Sequence, residues 1–346
     1  MNEFVKSIFV NKNKNNINGV FSIGGNKIFY KILNNSDYEK EKSGYLILKD
    51  YYKVPLKYLE LEGYENNSNV VCYEYCYKVD KDSGLLVDYF SNNDELNHEY
   101  KKILNMYKKI FEKTLTYNRK GNCIILFEDR LNNRLLNNIN NFHFNNFDEI
   151  NIIFNDNKIK LSNQIIYKNV LKYFTKISKS WNIISNADPN DMNICIDGTL
   201  FDYTAGGYVP IMCEFAVFVC YNLIQGEYLS LKYNKKAFIH HQKIYKCMNT
   251  ITFNKDNVMH MPRKIRIDAI ISYIDIVIKP ILDKIDYENW YADFKNYFAM
   301  KLLAVFDFNN MYKNDILISL IYLNIFYNQS FKDINELKKY LKQLYD

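Results

Sequence analysis

Proline and glycine are rare in this chain, with 5 and 11 among 346 residues. That excludes collagen, mucin-like stalks and proline-rich spacers. With 48% hydrophobic against 24% charged residues, wholesale disorder is excluded too. No window reaches 18 uncharged apolar residues, so nothing reads as a membrane span. Met1-Asn2-Glu3-Phe4 lacks a basic stretch leading into an apolar one, so no secretory signal is expected and the expected location is the cytoplasm. Arg is scarce and the net charge of +6 is mild. Lys is mixed with Glu and Asp instead of clustering, which is the pattern of a solvated surface and not of a nucleic-acid-binding face. The seven cysteines (72, 76, 123, 195, 213, 220 and 247) are odd in number and lack paired metal spacing, so they read as buried thiols in a reducing compartment.

What is abundant is Tyr (31), Phe (23) and Asn, the last about a seventh of the chain. The length suffices for one large two-lobed unit. The first 80 residues read as strands and turns. Gly19 to Ile23 and Lys27 to Leu33 are β-rich runs joined by Gly24-Gly25-Asn26, and Leu56 to Tyr64 and Asn69 to Tyr77 are two more. Between them 36–53 reads as a helix, capped by Ser36 or Asp37, with Tyr45, Leu46, Leu48 and Tyr52 on its apolar side. From about residue 80 the character turns helical. Helices are expected from Ser91-Asn92-Asn93-Asp94 to about Thr116, and over 163–180, 211–230, 264–283, 286–306, 312–326 and 331–344. Ile150 to Phe154 is an expected strand, 132–146 is nearly low-complexity Asn, and 182–203 reads as short strands around a loop. The fold class is therefore α+β, with a small β-rich part carrying one helix, a larger mostly helical part, and a seam near Val79.

The most informative stretch is Asn186-Ala187-Asp188-Pro189-Asn190-Asp191-Met192-Asn193, followed by Phe201-Asp202-Tyr203. Phosphoryl transfer asks little covalent help of a protein. It needs an alcohol oriented in line and metal ions held against the phosphates. An Asp beside the acceptor hydroxyl can take its proton, and an Asn oxygen and an Asp carboxylate are hard ligands suited to Mg²⁺. Ala205-Gly206-Gly207-Tyr208 and Glu214, twelve residues after Asp202, complete the pattern.

This segment resembles the catalytic loop of the aminoglycoside phosphotransferase and choline kinase family, whose pattern is His-Gly-Asp, four residues and Asn. Here Asn186-Ala187 stands in place of His-Gly. The resemblance implies a bilobal, protein-kinase-like fold, with residues 1–78 as a nucleotide-binding lobe and 79–346 as a catalytic and substrate-binding lobe. It implies Asp188 as catalytic base and Asn193 and Asp202 as Mg²⁺ ligands. It makes Lys31 the lysine that meets the ATP phosphates, with Glu41, or alternatively Glu39, as its ion-pair partner. Asn11 to Gly19 becomes a flap over the phosphates, and Glu74, Tyr75 and Cys76 a hinge against adenine. The implied activity is ATP-dependent phosphorylation of a small hydroxylated molecule of the aminoglycoside, choline or sugar type, with GTP as an alternative donor. A nucleotide-binding pseudokinase is the rival, supported by the Asn186-Ala187 departure.

Other features read as structural. His240 and His241 are adjacent, so they point apart on a helix, and they are expected to be partly exposed. His260, Arg263, Lys264 and Arg266 are expected to form a solvated helix start, and Trp181 and Trp290 belong to the core.

Overall fold

The computed structural model describes residues 18–64, 68–75, 84–117, 147–176, 179–238, 241, 244–245, 250–304 and 306–344. Residues 11–17 of the expected flap, Cys76, Cys123, Cys247, His240, the Asn-rich stretch and the seam at Val79 lie outside them.

Four antiparallel strands, β1 (Asn18–Ile23), β2 (Asn26–Leu33), β3 (Lys57–Tyr64) and β4 (Ser68–Glu74), form a sheet in the order β1-β2-β4-β3. Strand alternation explains its two faces. Ile28, Tyr30 and Ile32 pack with Phe21, Val70 and Cys72 on one side, which turns Lys31 to the other. Against that other face lies helix α1 (Asn35–Leu48), capped by Asn34, whose side chain accepts from the Asp37 N–H. Its buried stripe is Tyr38, Glu41, Gly44, Tyr45 and Leu48. The helix therefore begins one residue before the expected start and ends five residues early, and a carboxylate occupies an apolar position of its stripe.

Beyond the sheet, α2 (Leu86–Asn92) precedes α3 (His98–Thr114), which starts at an Asn97 cap and not at residues 91–94. The short strand β5 (Thr116–Tyr117) pairs with β8 (Trp181–Ser185), and β8 pairs with β9 (Gly207–Pro210). Two hairpins, β6 (Asn151–Phe154) with β7 (Asn157–Lys160) and β10 (Ile251–Asn254) with β11 (Asn257–His260), join into a second four-stranded sheet. Helix α4 (Asn163–Lys176) follows β7. Helix α5 (Ile211–Cys220) runs on through a π-helical stretch, Tyr221–Leu229, into α6 (Ser230–Tyr233) and then α7 (Lys235–Phe238). The rest is α8 (Lys264–Tyr273), a π-helical turn at Ile274–Ile278, α9 (Lys279–Ile285), α10 (Trp290–Ala304), α11 (Lys313–Asn328) and α12 (Ile334–Gln343).

All ten residues of α5 are buried, as are twelve of the fifteen in α10. These two helices form the centre of a large aromatic core, with Phe215 and Phe294 at a ring separation of 4.9 Å. The fold is α+β, as the sequence pattern implies. Among the described residues no helix is long and apolar enough to cross a membrane. Cys72, Cys195, Cys213 and Cys220 are buried thiols in no disulfide.

Candidate active site

The segment 186–206 connects two paired strands, with Ser185 opposite Gly207, so both of its ends are fixed. Further ties hold its middle. The Phe201 N–H donates to the Asn193 carbonyl (2.7 Å), the Leu200 N–H to the Lys53 carbonyl (2.8 Å), and the Leu86 N–H of α2 to the Ile194 carbonyl (2.9 Å). These ties fold the loop back so that Asn193 lies beside the Phe201-Asp202 segment.

Lys31 sits between two carboxylates, with Nζ 2.8 Å from Glu41 Oε1 and 3.0 Å from Asp202 Oδ1. Glu41 is fully buried and Glu39 is exposed, so the stripe of α1 settles which of the two faces Lys31. The Glu41 carboxylate is fully satisfied. Oε1 accepts from Tyr73 OH (3.0 Å), and Oε2 accepts from Thr204 Oγ1 (2.9 Å) and the Tyr203 N–H (3.3 Å). Burial alone would push the Lys31 ammonium toward neutrality. The Asp202 and Glu41 charges outweigh it, and its pKa is raised. Reciprocally, the Lys31 ammonium holds the Asp202 carboxyl below its ordinary range, against the opposing effect of burial. About half of the Asp202 side chain remains open (46%). Helix α1 approaches this segment so closely that a Cβ on Gly44 would lie 1.9 Å from the Tyr203 carbonyl oxygen. The mid-helix glycine, which costs about 1 kcal/mol in helix propensity, is what allows that approach.

Asp188 is engaged at both oxygens. Oδ2 accepts from Asn190 Nδ2 (2.7 Å) and Asn193 Nδ2 (3.3 Å), and Oδ1 faces Lys301 Nζ (3.2 Å). Asn193 Nδ2 also donates to the Asp188 carbonyl (3.1 Å), so its amide nitrogen is turned to Asp188 and its Oδ1 is the atom left for a cation. Among the described residues no three His, Cys, Asp or Glu side chains gather to enclose a metal ion. Asn193 and Asp202 supply one amide oxygen and one ionised carboxylate. That set fits Mg²⁺, which commonly takes one or two protein ligands and completes its octahedron with phosphate and water.

The departure at Asn186-Ala187 has a clear structural form. Asn186 is buried, and its Nδ2 donates to the Phe201 carbonyl (3.3 Å), bracing the loop from inside. Ala187 adopts a left-handed backbone with φ 60°, the conformation that glycine takes without strain. Its N–H donates to Ser185 Oγ (3.1 Å), and Ser185 Oγ donates to Glu214 Oε2 (2.7 Å) on α5. Burial pushes the Glu214 carboxyl up to about 8, against the lowering effect of the Ser185 hydrogen bond.

The residues expected at a hinge stand apart from this cluster. Glu74 ends β4, three residues from the Val71 that pairs with Lys31, roughly 10 Å along the strand. The N–H groups of Glu74 and Tyr75 are committed to the Leu56 (2.7 Å) and Lys27 (3.1 Å) carbonyls.

Sequence reasoning missed Lys301, Ser185, Tyr73 and Thr204. Lys301 carried a signal, since it is the single charge in Asn296–Val305. Two expectations are corrected. Arg263 and Arg266 are not a solvated helix start. Arg266 is fully buried, with Nη2 2.6 Å from Asp191 Oδ2 and Nε 2.9 Å from Glu227 Oε1, and Arg263 Nε donates to the same Glu227 oxygen (2.8 Å). His260 is buried against Tyr322 OH (2.6 Å), and burial pushes its pKa down to about 3. His241 is buried instead of partly exposed, because Asp88 Oδ1 meets its Nδ1 at 2.6 Å.

No family model and no curated protein matches the sequence. Among solved structures, 94% of the chain is similar to 88% of a spectinomycin phosphotransferase in complex with ADP and spectinomycin, at 10% identity and a TM-score of 0.38. An amicoumacin kinase in complex with AMP-PNP and Ca²⁺ is similar over 97% of this chain and all of that one, at 12% identity and a TM-score of 0.43. An ethanolamine kinase of Plasmodium vivax is similar over 88% and 80%, at 12% identity and a TM-score of 0.39.

Proposed function

We propose that this chain is a kinase of small molecules, transferring the terminal phosphoryl of ATP, or alternatively GTP, to a hydroxyl of an aminoglycoside-, choline- or sugar-type acceptor. The observation that carries this reading is Lys31 held between Glu41 and Asp202, with Asp188 and Asn193 in the loop that delivers Asp202. In this reading residues 1–78 bind the nucleotide and 79–346 carry the base and the acceptor, in a cytoplasmic protein. Lys31 meets the phosphates, and Glu41 keeps its ammonium in place. Glu74, Tyr75 and Cys76 stand toward adenine in this reading, with the Glu74 and Tyr75 amides already used by the Leu56 and Lys27 carbonyls. Asp188 accepts the proton of the acceptor hydroxyl. A Mg²⁺ ion held by Asn193 and Asp202 would neutralise charge on the phosphates.

The test is calorimetric titration of ATP, and in parallel GTP, with and without Mg²⁺, into wild type and Asp202→Ala. Binding should require Mg²⁺ and weaken at least about tenfold in the variant, since a charged ligand of the ion is lost. Mg²⁺-independent binding that ignores the substitution would favour the pseudokinase. No binding of either nucleotide would sink the proposal.

A further inference from the structure

We infer that Lys301 is a positioning residue for Asp188, and that the transfer proposed above depends on it; the inference rests on that reading. Lys301 lies on α10, 113 residues from Asp188, and is the only charge in its stretch Asn296–Ala304, all of whose residues are buried. Its side chain is 9% exposed. An ammonium so deeply placed is costly unless a carboxylate faces it. Two carboxyls are near. Glu214 is turned to Ser185, whose hydroxyl donates to its Oε2 at 2.7 Å, whereas Asp188 Oδ1 stands 3.2 Å from Lys301 Nζ and is the carboxylate that Lys301 pairs with.

A purely structural tie is the competing account, and the loop has little need of one. Asp191 with Arg266, Asn186 with the Phe201 carbonyl, and the Phe201 N–H with Asn193 already anchor it at three points. What these anchors leave open is rotation of the Asp188 carboxylate about its last bond, a soft torsion. Asn190 and Asn193 hold Oδ2, and Lys301 holds Oδ1. Gripped from both sides, the carboxylate presents a fixed lone pair to an incoming hydroxyl. The hydroxyl proton then passes to Asp188 as the oxygen bonds to the terminal phosphorus. The bridging P–O bond breaks, and the nucleoside diphosphate leaves with that electron pair.

The experiment uses the full chain with MgATP as the only ligand and water as acceptor, reading kcat, KM for MgATP and melting temperature. Lys301→Met removes the charge at similar volume, and its kcat should fall about 100-fold, the size of effect that misplacement of a reacting group by an ångström brings. KM for MgATP should stay within about twofold, because nothing that meets the nucleotide has changed. Lys301→Arg should recover most of the rate. If the Met variant does not fold, Lys301→Gln keeps a polar donor too short to reach Asp188 and should show the same drop in kcat. A Met or Gln variant with wild-type kcat overturns the inference, and so does a loss of rate matched by a lowered melting temperature that Arg fails to rescue. Wild type that neither binds nor hydrolyses MgATP overturns the kinase reading and this inference together, whereas an active wild type with indifferent Lys301 variants overturns this inference alone.

Discussion

Asp188 and Asp191 stand three residues apart in one loop, and their surroundings are opposite. Asp191 is buried, with Oδ1 accepting from Tyr221 OH (2.6 Å) and Oδ2 against Arg266. Arg266 in turn meets Glu227 and Asn222, and its guanidinium lies 4.2 Å from the centre of the Phe90 ring, an apolar lid. Each charge in this cluster is consumed by a neighbour. Asp188 has partners at both oxygens, yet about a third of its side chain stays open. A closed cluster clamps the loop to the helices beneath it, and an open one leaves a carboxylate able to meet something new. The same contrast holds for the Lys31 cluster, where Glu41 is sealed and Asp202 is half open.

The comparison breaks most readily at Arg266. Arg266→Met would leave Asp191 and Glu227 buried with too little counter-charge, and removing one partner of a buried ion cluster costs about 3–5 kcal/mol. Denaturant unfolding should show that loss. Asp188→Asn also leaves the Lys301 ammonium without its anion, but Asp188 is a third open and an amide oxygen still faces Nζ, so the loss should be smaller, about 1–3 kcal/mol, while transfer is abolished. Near-equal stability losses in the two variants would mean that the closed and open clusters do the same job.

A second contrast lies under the loop, where Asp191 is a buried anion and Glu214 a buried neutral acid. The Glu214 carboxyl titrates at about 8 in the fold against an ordinary 4.5. Between those values the native state holds a proton that the unfolded chain has released. Its contribution is therefore complete below about pH 4.5 and is lost as pH rises to about 8, by roughly 3–5 kcal/mol. Glu214→Gln should flatten that decline while keeping the Ser185 contact. Stability measured from pH 5 to 9 in both proteins isolates the effect, and parallel curves would show that Glu214 is ionised in the fold.

The site was legible in the sequence wherever local spacing encodes it. Strand alternation turns Lys31 away from Ile28, Tyr30 and Ile32. Glu41 shares helical spacing with Tyr45 and Leu48, but spacing left Glu39 as an alternative, and it is the buried stripe of α1 that separates the two. The run 186–202 carries Asp188, Asn193 and Asp202, the three residues of the proposed site, in order. What stayed hidden depends on pairing across long separations. Lys301 reaches Asp188 over 113 residues, and no periodicity marks which cation will meet which anion. Arg266 read as a surface charge because its partner Asp191 is 75 residues away and its lid, Phe90, further still. The β10–β11 hairpin was missed because its four-residue strands are too short to show alternation, and the parallel pairing of β11 with β6 joins segments about a hundred residues apart.

The smallest effect concerns the residue between Asn186 and Asp188. Ala187 sits at φ 60°, where a Cβ crowds the following carbonyl and costs about 1–2 kcal/mol. Asp202, the other non-glycine residue of the loop at positive φ, pays less for its φ of 57°, because Asp tolerates this region through its short polar side chain. Ala187→Gly relieves the strain but gives the unfolded chain more freedom, worth about 0.4–1 kcal/mol, and gives up a buried methyl. The terms nearly cancel, so the variant should stay within about 0.5 kcal/mol of wild type, with Asn186 still braced on the Phe201 carbonyl. Ala187→Val should destabilise by more than about 1 kcal/mol, since a β-branched side chain is a poorer fit at positive φ. Paired denaturant curves for the two variants measure the span between them. If glycine destabilises as much as valine, the loop is held by the Ala187 methyl rather than strained by it, and the departure from glycine is a packing choice.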